Sequence, residues 1–147
     1  MKVLMAEDLE SVRGHLRGLL AESAGVELRF VQQDAAVAIL TAGVWRPDVA
    51  ILDVRLRGAA TLETLAAMKK EWPGMAVVIC SFFFEPYHRD AYLRDGADFF
   101  FDKSREWSEL IAFLRRVSAM KTVPEARFKA ASSAKVTAFR VERSRFA

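Results

Sequence analysis

Short apolar runs alternate along the chain with longer stretches in which apolar residues recur at three- and four-residue spacing. The first run, residues 2–6, is closed by Glu7 and Asp8, and Val12, Leu16, Leu19 and Leu20 follow at i, i+4, i+7 and i+8. A helical period places these four side chains on one stripe, so the pattern predicts a strand and then an amphipathic helix. Gly25 ends that helix, residues 26–31 alternate well enough for a second strand, and Asp34 is placed to cap an Ala-rich helix reaching Ala42. Gly43 and the Arg46-Pro47 pair are expected to stop it.

The third run, Val49-Ala50-Ile51-Leu52, is unbroken and ends on the single carboxylate of Asp53. Such a run reads as a strand buried on both faces. Leu62, Leu65 and Met68 mark a third helix ended by Trp72-Pro73-Gly74, and residues 76–80 form a fourth strand. Pro86 opens and Gly96 closes a fourth helix over residues 87–95, and residues 99–101 are a fifth strand running into Asp102 and Lys103. Ser104 is expected to cap a last helix carrying Trp107, Leu110, Ile111, Leu114 and Val117 on one face. Strands alternating with helices five times predict an α/β class fold, a doubly wound parallel sheet with right-handed crossovers and helices on both faces.

Composition narrows this further. With 147 residues, 52% of them hydrophobic, the chain suits one domain with a proper core and not a disordered protein. The formal charge of +3 is unevenly placed: residues 121–147 hold seven Lys+Arg and two Asp+Glu (7 − 2 = +5), leaving 15 − 17 = −2 over residues 1–120. The expected organisation is a domain over 1–120 and a basic C-terminal tail, 121–147, that is no separate domain. Arg127, Lys129, Lys135, Arg140, Arg143 and Arg145 mix there with Phe128, Phe139 and Phe146. The tail is too short for a DNA-binding domain and lacks a helix-turn-helix pattern, so DNA binding is not expected; it reads as a loosely docked extension or an association arm. Cys80 lies inside an apolar run, which argues for a buried free thiol and a reducing compartment. No signal-peptide region or run of membrane-spanning length is found, and a cytoplasmic location is expected.

In a parallel sheet the strand ends share one carboxyl edge, where loops converge on ligands. The polar residues falling there are Glu7, Asp8, Asp53, Ser81 and Lys103, while the second strand contributes nothing obviously chemical. Three carboxylates in one place repel, and the cluster requires a cation among them. Mg²⁺ fits best, because it accepts few carboxylates and keeps several waters. With the Lys103 ammonium and the Ser81 hydroxyl, this set suits a phosphoryl group held against a carboxylate nucleophile.

The ordered set Glu7-Asp8, Asp53, Ser81 and Lys103 resembles the response-regulator receiver domain of two-component signalling, over about residues 1–120. The resemblance implies a flavodoxin-like sheet of order 2-1-3-4-5 and no classical enzyme activity. It implies that Asp53 accepts a phosphoryl group from a histidine kinase or histidine phosphotransfer protein. Asp8 would be a direct Mg²⁺ ligand, Glu7 an outer-sphere one, and the Arg55 backbone carbonyl a further contact. Ser81 and Lys103 would engage the phosphoryl oxygens, and Phe100 would be the aromatic switch. Output would pass through association with a downstream protein, by a stand-alone regulator; homodimerisation stays open. Four positions depart from the family pattern. Phe82 stands where a small residue is usual, which implies slow phosphorylation or a long-lived acyl phosphate. Ser104 replaces a proline, so a trans bond is expected after Lys103. Arg57 replaces a loop proline, and Phe100, lacking a hydroxyl, can act only by packing.

The same residues admit three other readings. A receiver-like adaptor that works without phosphorylation is the main alternative. A phosphohydrolase with an aspartyl nucleophile would carry a second acid where Arg55 stands, and a flavin protein would suffer repulsion of its phosphate by Glu7 and Asp8.

Overall fold

Each apolar run becomes a strand because, in a sheet covered on both faces, every side chain of a central strand meets protein and none meets water. The computed structural model describes residues 1–82 and 85–121. The elements follow in the order β1 (Lys2–Ala6), α1 (Glu10–Leu20), β2 (Glu27–Val31), α2 (Ala35–Trp45), β3 (Val49–Leu52), α3 (Thr61–Glu71), β4 (Ala76–Ser81), α4 (Pro86–Arg94), β5 (Phe99–Asp102) and α5 (Trp107–Lys121). The five strands form one parallel sheet of order β2-β1-β3-β4-β5, the doubly wound order expected.

Strand periodicity of two divides the core into two layers. Leu4, Ala50, Leu52, Val77, Ile79 and Phe100 pack against α2, α3 and α4 through Ala38, Leu65, Met68 and Tyr92. Val3, Met5, Ile51, Val78, Cys80 and Phe101 pack against α1 and α5 through Leu16, Leu110 and Leu114. Residues 49–52 are all buried, which is what an unbroken apolar run at the sheet centre requires. The sheet order puts β3 between β1 and β4, so the loops after β1, β3 and β4 meet at one edge.

Three helix boundaries differ from expectation by more than one residue. α1 ends at Leu20, with Ala21 as its cap, before Gly25 is reached, because the Ala21 N–H already turns back to the Gly18 carbonyl. α2 continues past Gly43 to Trp45, with the indole of Trp72 3.5 Å from where a Cβ on Gly43 would lie; it ends instead at Arg46, in the left-handed conformation (φ 53°), before Pro47. Ser104 does not cap the last helix. It lies in a turn closed by hydrogen bonds from Arg105 N and Glu106 N to the Asp102 carbonyl, and α5 begins at Trp107. Among the described residues no peptide bond is cis, and none of the helices is long and apolar enough to cross a membrane. The expectations for the basic tail lie outside the described residues.

Candidate functional site

Lys103 follows β5 and reaches back beneath the sheet edge to two acids far away in sequence. Its Nζ lies 2.5 Å from Glu7 Oε2 and 2.7 Å from Asp53 Oδ2. All three residues are buried, at 1% exposure for Glu7, 6% for Asp53 and 3% for Lys103. Burial by itself would lower the Lys103 pKa, but the charge of Asp53 and the hydrogen bonds to Asp53 and Glu7 outweigh it and raise it. The ammonium is thus held in its charged form between two carboxylates. Breaking such a buried set by removing one member leaves an uncompensated charge, which is why the arrangement specifies its own geometry.

The backbone around the set is equally engaged. Glu7 Oε1 accepts a hydrogen bond from Leu9 N (2.9 Å), and the Glu7 carbonyl accepts one from Arg13 Nε (2.6 Å). Asp53 Oδ1 accepts from Arg55 N at 2.9 Å, and the Asp53 carbonyl accepts from the Thr61 hydroxyl at 3.0 Å. Lys103 N donates to the Ser81 carbonyl (2.9 Å), joining the ends of β4 and β5. Ser81, fully buried, stands opposite Asp102 in the register of these strands. Burial pushes the neighbouring Cys80 thiol up to about 12, so this sulfur is an inert core group.

Asp8 sits at the rim and answers to different partners. Its Oδ1 accepts from Gln33 N at 2.8 Å, and its Oδ2 forms an ion pair with Arg57. The Arg57 hydrogen bond, then that of the Gln33 amide, holds the Asp8 carboxyl below its ordinary pKa. The Gln33 side-chain amide donates to the Arg55 carbonyl at 2.6 Å. A continuous chain of hydrogen bonds therefore runs from Asp8 through Gln33 and Arg55 to Asp53. This corrects the expectation that the second strand contributes nothing chemical, since Gln33 follows β2. Its amide had no signal in the sequence, because a Gln beyond a strand end is ordinary until the fold shows which carbonyl it meets.

The expected switch and the departures take clear positions. Phe100 is buried and packs at 6.0 Å, ring centre to ring centre, against Tyr92 of α4, with the Arg89 guanidinium 5.6 Å from its ring. Arg89 is ion-paired with Glu106, whose carboxylate also accepts a hydrogen bond from Asp102 N at 2.8 Å. Phe82, 46% exposed, lies over the edge of the site with its ring centre 5.4 Å from Lys103 Nζ. The bond after Lys103 is trans, as its non-proline partner requires.

The donors suit Mg²⁺ in kind: the carboxylates of Asp8 and Asp53 and the carbonyl of Arg55 offer only oxygen, and Mg²⁺ is satisfied by one or two carboxylates with water. Among the described residues no group of three or more His, Cys, Asp or Glu is gathered tightly enough for a metal. Two of the three donors are met by protein groups that bring positive charge or N–H bonds, Arg57 on Asp8 and Gln33 on the Arg55 carbonyl. Both contacts place N–H donors on oxygens of this donor set.

Comparisons with known proteins agree with this geometry. The family model described as response regulator receiver domain matches residues 3–115. Response regulator GacA of Pseudomonas syringae pv. syringae (strain B728a) is 26% identical over 119 residues, covering 81% of this chain and 56% of that protein. The chain thus spans about half the length of the curated relatives it matches. Among solved structures, the signal receiver domain of the response regulator NarL from Mycobacterium tuberculosis is similar at a TM-score of 0.70 and 24% identity, over 80% of this chain and 95% of that one. The Mn²⁺-bound form of response regulator Rcp1 is similar at 0.61 and 18% identity, over 80% and 91%. At these identities the likeness of the structures concerns the fold.

Proposed function

Because this chain belongs to the response regulator receiver domain family, a phosphoacceptor signalling module and no classical enzyme, we propose that Asp53 accepts the phosphoryl group, with Mg²⁺ bound by Asp8, Asp53 and the Arg55 carbonyl. Membership implies a cognate histidine kinase; a histidine phosphotransfer protein is the other donor in this reading. The observation that carries it is the Lys103 ammonium 2.7 Å from an Asp53 oxygen, at the end of the central strand.

An Asp53 oxygen attacks the phosphorus of a phosphohistidine. The new P–O bond forms as the P–N bond breaks, and the electron pair leaves with the imidazole nitrogen. Lys103 exchanges its Asp53 contact for a phosphoryl oxygen while Glu7 still anchors the ammonium, and the Ser81 hydroxyl donates to another phosphoryl oxygen. Mg²⁺, when bound, supplies charge neutralisation for the phosphoryl oxygens, with Glu7 as an outer-sphere member of the acidic set. Phe82 covers Lys103 and limits access of water and of the donor, which slows gain and loss of the group alike.

In this reading the domain takes residues 1–120, and residues 121–147 are a basic tail by composition. Phosphorylation biases a two-state equilibrium in which Phe100 and the Arg89–Glu106 pair link the site to the face formed by α4, β5 and α5, and a downstream protein reads that face. Output by protein association from a cytoplasmic, stand-alone regulator is our reading. The Mn²⁺-bound form of Rcp1 supports a divalent ion in this fold.

A second reading has its own support. Every acid at the site already has a protein cation, Lys103 for Glu7 and Asp53 and Arg57 for Asp8; a constitutive adaptor that never accepts phosphate would use such a closed site. Intact-mass measurement after treatment with acetyl phosphate decides between them. An Mg²⁺-dependent phosphoryl adduct on the wild type and none on Asp53→Asn is expected. No adduct, with equal partner affinity for wild type and Asp53→Asn, rejects the phosphoacceptor reading.

A further inference from the structure

The fold anchors the backbone of Arg57 within side-chain reach of Asp8. Arg57 N donates to the Gln33 carbonyl at 3.0 Å and Ala35 N donates to the Arg57 carbonyl at 2.9 Å, so that Asp34 and Arg57 form a parallel bridge outside the main sheet. Gly58, at φ +86°, turns the chain directly after it, a conformation that favours glycine. The loop after β3 is thereby stitched to the loop after β2, and the Arg57 side chain extends from this fixed backbone to Asp8, 49 residues away.

The two oxygens of Asp8 differ in consequence. Oδ1 is held by a backbone N–H, that of Gln33, which cannot move without opening the bridge. Oδ2 is held by an arginine side chain that is 57% exposed and free to turn into water. The Gln33 amide on the Arg55 carbonyl is no obstacle to an ion, since a carbonyl oxygen has two lone pairs and can accept from Gln33 and face a cation together. It fixes the direction of that carbonyl. Gln33 therefore positions, whereas Arg57 occupies.

We propose that Arg57 is a built-in competitor for the divalent ion: its positive charge neutralises Asp8 through Oδ2, and a metal binds more tightly once that guanidinium turns away, so that Arg57 tunes the divalent-ion affinity of this receiver. The inference rests on the reading of Asp8, Asp53 and the Arg55 carbonyl as metal donors. Competition of this kind is modest, because the pair is exposed and such pairs are weak. It is also screened by salt, since an exposed guanidinium acts on the site through solvent.

Mn²⁺, which favours the same oxygen ligands, is the probe, and the electron paramagnetic resonance signal of free Mn²⁺ reads its binding to the full chain. Arg57→Ala and Arg57→Gln are expected to tighten Mn²⁺ by about two- to fivefold at low ionic strength, with the gain shrinking as salt is raised. Gln33→Ala is expected to weaken it, because the Arg55 carbonyl loses its guide. Unchanged or weaker binding in both Arg57 variants, while Asp8→Asn abolishes binding, overturns the competition and leaves the metal reading standing. Absence of binding in the wild type and all variants, or binding indifferent to Asp8→Asn, overturns the metal reading and this inference with it.

Discussion

Lys103 Nζ contacts Asp53 and Glu7 at once, at 2.7 and 2.5 Å, so one ammonium from β5 serves the acids that close β1 and β3. The carboxylate proposed to accept phosphate is therefore tied to the carboxylate at the end of the neighbouring strand, and neither can be understood alone. Removing the ammonium leaves two buried negative charges facing each other. Lys103→Met is expected to cost about 3–5 kcal/mol in urea unfolding. The double variant Lys103→Met/Glu7→Gln is expected to recover part of that loss, and equal stability of single and double variants would contradict the coupling.

Phe82 is different in kind, since it is half exposed and lies with its ring over Lys103. Phe82→Ala is expected to change stability by no more than about 1 kcal/mol. Both labelling by acetyl phosphate and subsequent hydrolysis are expected to quicken several-fold, because the ring no longer covers the ammonium. A time course by intact mass measures both, and unchanged rates would remove Phe82 from the account.

Cys80 provides a pH test. Burial raises its thiol from 9.0 to about 12 in the folded protein. Below pH 9 the thiol is protonated whether the chain is folded or not. Between pH 9 and about 12 the unfolded chain gives up the proton and the folded one keeps it, so the unfolded state binds fewer protons and stability falls as pH rises, at about 1.4 kcal/mol per unit. Cys80→Ala is expected to lack this contribution, and the difference between the two stability profiles isolates it from other alkaline titrations. In the same range a disulfide reagent is expected to react with the native thiol only as fast as the protein opens.

Phe100 joins the site to α4 through Tyr92 and Arg89. As a buried ring it is expected to cost about 3–5 kcal/mol when cut to Ala. Phe100→Leu, which keeps an apolar side chain and most of the volume but removes the ring, is expected to fold and to accept phosphate normally, yet to bind a downstream partner with less dependence on phosphorylation. Partner binding by the phosphorylated and unphosphorylated forms measures this.

Periodicity makes the alternation of strands and helices readable in the chain, and the unbroken run of residues 49–52 marks β3 as the central strand. Where local signals competed, tertiary contacts won. Gly43 is a stop by propensity, yet α2 runs on to Trp45, with the Trp72 indole 3.5 Å from where a Cβ on Gly43 would lie. Ser104 suits a cap by residue type, yet the Asp102 and Glu106 carboxylates bind the backbone of that turn instead.

The identities at the sheet edge followed from the chain alone, since any parallel sheet brings the residues after its strands to one side: Glu7, Asp8, Asp53, Ser81 and Lys103 could be named from order and spacing. Which acid meets which cation could not. That choice depends on reach and burial across strands about 50 to 96 positions apart, and only the folded sheet places Lys103 deep between Glu7 and Asp53 while leaving Asp8 at the rim for Arg57 and Gln33.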